Sequence, residues 1–398
     1  MLLYIHVPFC KTRCYYCSFF SKPLDISNID GQQKIQTYFV TLKNELSYWG
    51  NKLQRPTIET IFFGGGTPSL LSPKYLYEIL EHISQHYRLK SKVEITLEAN
   101  PESLTTLSLI KEYLTAGINR VSLGFQATNN KKLLQLGRTH KIVDAIQSYN
   151  MLREALCTNI NIDLIWGLPN QTVQQWLTTI KYVTALKPNH ISSYNLTLEP
   201  GTIFYKQHVN KKLILPTEEE QVSMFFQTKT YLEGEGLLQY EISNFAQPGY
   251  QCKHNNGYWE GKDYLGVGPS ATSTINHYRW TNPADLSLWN LLVKKKKEPQ
   301  KEYIDNKTQV LELFMLRLRT TKGLNINEYN SIAKDNFIDN YRNLIFKLEK
   351  EQLIKINSNY LKLTPLGQLV SNSIIKEFFA MYQLLINTKK SKVCINNI

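Results

Sequence analysis

The sequence predicts an α/β protein whose first half forms a parallel sheet covered by helices. Three observations predict this fold class. Short apolar segments alternate with amphipathic helical segments through residue 198, glycine and polar residues follow the apolar segments, and the composition is globular, with 42% hydrophobic and 20% charged residues. A partial barrel and a doubly wound sheet both fit this pattern, and both place their active sites at the carboxyl ends of the strands.

The elements of the first half follow from the apolar positions and from signals that start and stop helices. The predicted strands are 2–7, 58–63, 93–97, 121–125, 160–165 and 190–198. The predicted helices are 31–50, a segment opened by Pro73, a segment from an N-cap at Ser103 to Ala116, then 141–156 and 172–186.

The alternation of strands and helices ends near residue 203. A helix is predicted at 217–235, because its first turn carries three glutamates that suit the helix dipole, and 237–283 is predicted as loops and short strands. The remaining predicted elements are helices at 308–318, 325–335 and 339–350, a hairpin at 353–363 and a helix after Pro365. We expect a core at 1–203, an extension at 204–300, a winged-helix-like domain at 301–385 and a basic tail at 386–398.

The formal charge of +13 favours polyanions, a membrane surface or an acidic ligand as partners. Lysine is abundant along the whole chain, however, so a dedicated basic face is the weaker interpretation. The six cysteines, at 10, 14, 17, 157, 252 and 394, are not typical of a disulfide framework and favour a reducing compartment. No apolar run is long enough to span a bilayer, and the first residues lack the features of a signal peptide.

Cys10, Cys14 and Cys17 follow the first predicted strand at spacings of four and three residues. Three thiolates on one short loop can chelate a soft metal. Zinc sites usually pair cysteines twice, or pair two cysteines with two histidines, and no second pair follows here. A cubane iron–sulfur cluster takes thiolate ligands and can leave one iron for a small molecule. The loop favours a cluster, and three structural cysteines are the alternative.

Polar residues and glycines at the other strand ends predict a ligand site. The glycines of 64–67 let a ligand approach the backbone, although a tight turn alone would also need them. Glu98, Gln126 and Asp163 lie at or near the ends of successive strands, which favours hydrogen bonds to a ligand with amino, carboxyl and ribose groups. Arg138 is suited to pair with a carboxylate, or else forms a surface ion pair.

A second cluster lies at 252–259, where Cys252, Tyr258 and Trp259 flank His254. Such a histidine is a candidate axial ligand for haem, with the aromatic rings packing on the macrocycle. A solvent-exposed loop histidine without a role is the commoner case, and the residues alone favour that interpretation.

The Cys10–Cys17 loop, the Gly-Gly-Gly-Thr-Pro segment 64–68 and the Glu-Ala-Asn-Pro segment 98–101 together resemble the radical S-adenosylmethionine superfamily. Within that superfamily the chain is similar, over nearly its whole length, to the oxygen-independent coproporphyrinogen III dehydrogenase-like group. Further matches to the group are 122–126, 136–140, 163–169 and 194–201.

The resemblance implies a partial (β/α)6 barrel, a [4Fe-4S] cluster on Cys10, Cys14 and Cys17, and S-adenosylmethionine chelated by the fourth iron. In family members that do this chemistry, reduction of the cluster cleaves the sulfonium to a 5′-deoxyadenosyl radical. The implied contacts to S-adenosylmethionine are Tyr4, Tyr16, Gly65, Gly66, Thr67, Glu98, Gln126, Arg138 and Asp163.

Two departures from the group narrow the resemblance. The dehydrogenases have a long N-terminal arm and a fourth cysteine two residues after the third, whereas here nine residues precede Cys10 and position 19 is Phe. Both features resemble the haem chaperone branch, of the HemW type. That branch carries an HNxxYW motif associated with haem binding, which 254–259 matches, so His254 is the implied haem contact. The resemblance implies delivery of haem to apo-haemoproteins of the respiratory chain.

Two other functions stay open on the sequence. One is the oxidation of coproporphyrinogen III in porphyrin biosynthesis by a 5′-deoxyadenosyl radical. The other is nucleic-acid binding by the winged-helix-like domain, which lacks an obvious basic stripe with interleaved aromatics. We expect haem and apo-haemoproteins as partners, no nucleic acid, and a cytoplasmic location, with association at the inner face of the membrane and a homodimer left open.

Overall fold

The computed structural model describes the backbone of residues 1–395 and the side chains of residues 1–387. The chain divides into two compact units. The first unit contains 1–238, 243–254 and 262–302, and the second contains 239–242, 255–261 and the chain from 303 onward.

Six strands form the centre of the first unit. Their bounds are Leu2–Val7 (β1), Thr57–Gly65 (β2), Arg88–Ala99 (β3), Arg120–Gln126 (β4), Ile160–Trp166 (β5) and His190–Asn195 (β6). Every neighbouring pair from β1 to β6 is parallel, as the alternation of strands and helices predicts. Most ends agree with the prediction to within a few residues, but β3 begins earlier and β6 ends earlier than predicted.

Four short strands flank this centre. They are Asn244–Ala246 (β7), Tyr264–Val267 (β8), Thr272–Ile275 (β9) and Tyr278–Thr281 (β10). Within the first unit the strand order is β10-β9-β8-β1-β2-β3-β4-β5-β6-β7. Because β8 and β7 pair with β1 and β6 at the two sides, the six parallel strands form a partial (β/α)6 barrel that does not close on itself. Other short strands are Phe9–Cys10, Lys22–Pro23, Leu238–Glu241 and Glu302–Tyr303.

Helices cover the outer face of the barrel and follow the signals in the sequence. Their bounds are Ile29–Lys52, Pro73–His86, Leu107–Thr115, Asn130–Gln135, Ile142–Glu154, Val173–Thr184, Ile203–Val209, Glu218–Gly234 and Leu286–Lys294. Pro73 opens its helix as predicted, and Thr172 and Thr217 each begin a capping box.

Two local predictions were wrong. Ser103 is not an N-cap, because Pro101–Ser103 forms a 3-10 turn in which the Ser103 hydroxyl donates to the Asn100 carbonyl. Thr106 caps the helix instead, since its Oγ1 accepts from the backbone N of Leu109 at 3.2 Å. The second error lies within 237–283, where Lys253–Trp259 is a helix rather than a loop.

The second unit contains the helices Asn306–Arg317, Ile326–Ala333, Phe337–Lys350, Pro365–Leu369 and Ser371–Ile395, and a sheet of Leu324–Asn325, Ile354–Asn357 and Tyr360–Leu363. Aromatic rings fill its core, with Phe314 stacked on Phe378 at 5.0 Å between centroids. The predicted basic tail is helical as far as Ile395, and residues 396–398 lie outside the described part.

Within the described part of the chain, none of the helices combines the length and the hydropathy that a membrane span requires.

Candidate cofactor site

A cavity of about 420 Å³ lies at the carboxyl ends of β1–β6. Most of the predicted site residues line it, namely Cys10, Cys14, Tyr16, Cys17, Gly65, Gly66, Thr67, Glu98, Gln126, Arg138 and Asp163. They meet there because parallel strands end at one edge of a barrel. Tyr4 and His254 lie deeper in the barrel.

The cysteine loop is held in place by its backbone. Cys10 and Pro23 pair as parallel strand residues, the amide of Lys22 donates to the Pro8 carbonyl at 2.7 Å, and that of Tyr15 donates to the Leu136 carbonyl at 3.0 Å. All three thiols of the loop are free and only partly exposed. Burial raises the pKa of the Cys10 and Cys17 thiols.

Polar side chains connect two of these thiols. The guanidinium of Arg138 donates to Cys14 Sγ at 3.5 Å and to Asn100 Oδ1 at 2.5 Å. Asn100 Nδ2 donates to Thr67 Oγ1 at 3.0 Å, and the Thr67 hydroxyl donates to Cys10 Sγ at 3.6 Å. Such donors stabilise sulfur in its thiolate form. Arg138 is therefore a buried part of the cysteine site and not a surface ion pair.

The donor set fits an iron–sulfur cluster. Among the described side chains, no group of three or more His, Cys, Asp and Glu is spaced to hold a single metal ion. The loop does bring three thiols to one cavity, with hydrogen-bond donors beside two of them. Thiolates with outer donors are the ligands that a [4Fe-4S] cluster takes.

Gly65 and Gly66 have to be glycine because other parts of the chain pack too closely against them for a Cβ atom. Gly65 has a φ of +106°, and a Cβ there would lie 2.5 Å from His6 Cε1. A Cβ on Gly66 would lie 2.5 Å from the Phe9 carbonyl oxygen. The amides of Gly66 and Thr67 donate to the Val7 and Phe9 carbonyls, so they fasten β2 to the start of the cysteine loop.

Two carboxyl groups face the same cavity. Burial, together with the charge of Asp163, raises the pKa of Glu98 to about 8, although the Gly65 amide donates to its Oε2 at 3.1 Å. Burial also raises the pKa of Asp163, against the effect of donors from Ser122, Ser192 and Asn161. Two buried acids at one cavity favour a ligand that carries positive charge.

Gln126 reaches the cavity through an irregularity in β4. Its φ is +65°, and the pairing with β5 shifts register between Gly124 and Gln126. A bulge of this kind redirects a side chain at the end of a strand.

Tyr4 supports the wall behind the glycines. Its hydroxyl lies 3.1 Å from His6 Nδ1, and its ring stacks on Phe62 at 6.2 Å between centroids. A Cβ on Gly64 would lie 3.0 Å from Tyr4 Cε2, so the ring packs directly against this strand end.

His254 is buried in the barrel interior with only 1% of its surface exposed, contrary to the expectation of a loop histidine. Its Nδ1 lies 2.7 Å from Thr60 Oγ1, and its ring stacks on Phe62 at 4.9 Å. Glu94 anchors the start of the helix, because the backbone N of Lys253 and that of His254 each donate to its carboxylate at 3.1 Å. Burial lowers the pKa of His254 to about 3, which keeps its ring neutral.

Sequence reasoning missed Asn100 and Asn161. Asn100 belongs to the Glu-Ala-Asn-Pro segment, and its role as the bridge between Arg138 and Thr67 depends on two strand ends and on the loop that follows the helix Asn130–Gln135. Asn161 Nδ2 donates to Asp163 Oδ1 at 2.8 Å, a contact that the two-residue spacing within one strand suggests.

Two family models match the chain, that of the radical SAM superfamily at residues 4–183 and that of the HemN C-terminal domain at residues 304–370. Proteins named heme chaperone HemW are similar over nearly the whole length. The HemW of Lactococcus lactis subsp. lactis is 32% identical over 94% of this chain and 96% of its own, and that of Bacillus subtilis is 32% identical over 94% and 98%. That of Escherichia coli is 31% identical over 95% and 98%.

The chain belongs to the HemW family of the radical SAM superfamily.

A solved structure agrees in fold. Coproporphyrinogen III oxidase (HemN) from Escherichia coli superposes with a TM-score of 0.80 at 23% identity, over 94% of this chain and 89% of the other. In this HemW family member, the radical SAM match runs from β1 to the helix Val173–Thr184. This matched segment supplies most of the residues that line the cavity. The C-terminal match falls in the second unit.

Proposed function

We propose that the chain is a haem chaperone, which binds haem and passes it to apo-haemoproteins. The family resemblance implies that these acceptors belong to the respiratory chain. The observation that carries this proposal is the full-length similarity to proteins named heme chaperone HemW. Phe19 gives further support, because it stands where the oxidase resemblance calls for a fourth cysteine.

The cavity at the strand ends is the proposed cofactor site. Cys10, Cys14 and Cys17 would hold a [4Fe-4S] cluster, which supplies an open iron position for the amino and carboxylate groups of S-adenosylmethionine. The carboxyl groups of Glu98 and Asp163 suit the positive charge of that cofactor. The remaining contacts proposed for it are Tyr16, Gly65, Gly66, Thr67, Gln126 and Arg138, with Tyr4 acting through the strand end that it supports.

His254 has a structural role in the described conformation. A haem iron could be ligated by His254 only after the ring separates from Phe62 and Thr60. Ligation of haem by His254 is what the family resemblance implies, and the described conformation does not favour it. The homodimer and the association with a membrane surface stay predictions.

Haem transfer is the test of the proposed function. The protein is reconstituted anaerobically with iron and sulfide, loaded with haemin and mixed with an apo-cytochrome b whose holo form has its own Soret band. We expect a Soret shift on loading and its conversion to the cytochrome spectrum on mixing. A parallel reaction contains coproporphyrinogen III, a reductant and S-adenosylmethionine.

Two results would contradict the proposal. The chaperone role is contradicted if the apo-cytochrome takes up haemin from the loaded protein no faster than it takes up free haemin from buffer. Formation of protoporphyrinogen in the parallel reaction makes the chain an oxidase instead. A variant with all three loop cysteines changed to alanine serves as the control that separates cluster-dependent from cluster-independent transfer.

A further inference from the structure

An exposed aromatic side chain lies at the mouth of the cofactor cavity. Phe19 lines the cavity, yet 66% of its surface is exposed to solvent. The loop around it is fixed on both sides, because the Cys17 amide donates to the Cys14 carbonyl at 3.2 Å and the Lys22 amide to the Pro8 carbonyl at 2.7 Å. A single exposed apolar side chain is common on protein surfaces, so Phe19 indicates a ligand contact only together with further apolar surface at the same cavity.

A second aromatic ring comes from another wall of the same mouth. Tyr194, near the end of β6, lines the cavity and has 39% of its surface exposed. Two partly exposed rings from separate elements give the mouth an apolar rim. A flat apolar molecule that covers this rim would remove both rings from water.

The charge of the loop is basic. Segment 9–23 contains Lys11, Arg13 and Lys22 and no acidic residue. Arg13 is exposed, lines the cavity and donates from Nη2 to the Cys17 carbonyl at 3.4 Å, which holds its guanidinium near the mouth. The acidic residues of the lining come from other segments, namely Glu98, Asp163 and Glu199. Carboxylates on a ligand are therefore favoured on the Arg13 side.

Haem combines a flat apolar macrocycle with two propionates on one edge. The cavity, at about 420 Å³, lies toward the small end of the usual range for ligand pockets. Resting on the haem binding proposed above, we propose that haem binds across the mouth of the cavity, with its face on Phe19 and Tyr194 and its propionates toward Arg13. Bound haem then covers the S-adenosylmethionine site.

Haemin titration of matched variants tests this site. In anaerobically reconstituted protein, Phe19→Ser and Arg13→Gln are compared with Phe346→Ser and Arg342→Gln, which change a 70% exposed phenylalanine and an exposed arginine of the second unit. We expect Phe19→Ser to weaken haemin affinity about tenfold, read from the Soret shift, and the two second-unit variants to bind as the wild type does. Circular dichroism checks that every variant is folded.

A second measurement follows the release of the cofactor and does not use the Soret band. Haemin should slow the release of radiolabelled S-adenosylmethionine from wild-type protein, because it covers the mouth, and this effect should be lost in Phe19→Ser. Wild-type affinity in Phe19→Ser together with unchanged cofactor release overturns the rim site while haem binding itself stands. Absence of any Soret shift in wild-type protein overturns the proposed function, and the rim site with it.

Discussion

His190 Nδ1 lies 2.6 Å from Asn161 Oδ1 in the barrel interior, where both residues are buried. Burial and the charge of Arg120 hold the pKa of His190 well below its ordinary value, so its ring is neutral and Nδ1–H is the donor. This bond fixes the amide of Asn161 with Nδ2 toward Asp163 Oδ1 at 2.8 Å. His190 and Asn161, which lie in the barrel interior, thus orient the Asp163 carboxylate that lines the cavity.

Asn161→Ala should therefore weaken the binding of S-adenosylmethionine. The change removes a donor from a buried carboxylate, which then takes up a proton more readily and interacts less with a cationic ligand. We expect a loss of affinity of about tenfold, measured by anaerobic calorimetry on reconstituted protein.

The matched control for Asn161 is Thr96→Val. Thr96 is fully buried in the same barrel and points to the same side of β3 as Glu98, two residues later. The Thr96→Val variant should bind S-adenosylmethionine with the affinity of the wild type. Equal affinity in Asn161→Ala and Thr96→Val would show that Asp163 does not depend on this support.

Arg138→Gln should lower the reduction potential of a cluster on the cysteine loop. The substitution removes a cation and a hydrogen bond at 3.5 Å from Cys14 Sγ, both of which favour the more negative, reduced cluster. A redox titration followed by electron paramagnetic resonance should give a shift on the order of tens of millivolts. Arg153→Gln is the control, because Arg153 bonds to the Tyr149 hydroxyl and the Lys187 carbonyl instead. The same potential in both variants would contradict the prediction.

The sequence was sufficient to predict those features of the fold and the site that depend on residues close to one another along the chain. Apolar segments and capping signals predicted the six parallel strands, and parallel strand ends predicted that Glu98, Gln126 and Asp163 share one cavity. The position of His254 depends on Glu94, which precedes it by 160 residues, so no local pattern marks the helix or its burial. Ser103 fails as a cap for a local reason, since its hydroxyl already bonds to the Asn100 carbonyl.

Glu45 should make stability depend on pH in the first unit. Its buried carboxyl accepts from the Gly268 amide at 2.8 Å, Asn282 Nδ2 at 2.7 Å and Trp289 Nε1 at 2.9 Å. Burial nevertheless raises its pKa from an ordinary 4.5 to about 7. The folded state therefore keeps a proton that the unfolded chain releases, so this contribution is fully present below pH 4.5 and is lost as pH rises through 7.

Glu45→Gln cannot titrate, so the comparison with wild type isolates this group. The stability difference between the two proteins should change by about 3 kcal/mol between pH 4.5 and pH 7.5, with the wild type relatively weaker at the higher pH. Urea unfolding at the two pH values measures it. An equal stability difference between the two proteins at both pH values would mean that Glu45 titrates alike in the folded and unfolded states.

His254→Ala should cost stability and leave haem binding intact. The change removes a buried ring that stacks on Phe62 and leaves Thr60 Oγ1 without this partner, which we expect to cost about 2–4 kcal/mol. Urea unfolding measures the loss, and Thr60→Val is the matched control, because it breaks the same hydrogen bond and keeps the ring. Haemin should give the wild-type Soret shift in both variants, since the ring is buried away from the cavity mouth. A Soret shift that is lost in His254→Ala but kept in Thr60→Val would instead make His254 the axial ligand, and it would require the ring to separate from Phe62 and Thr60 when haem binds.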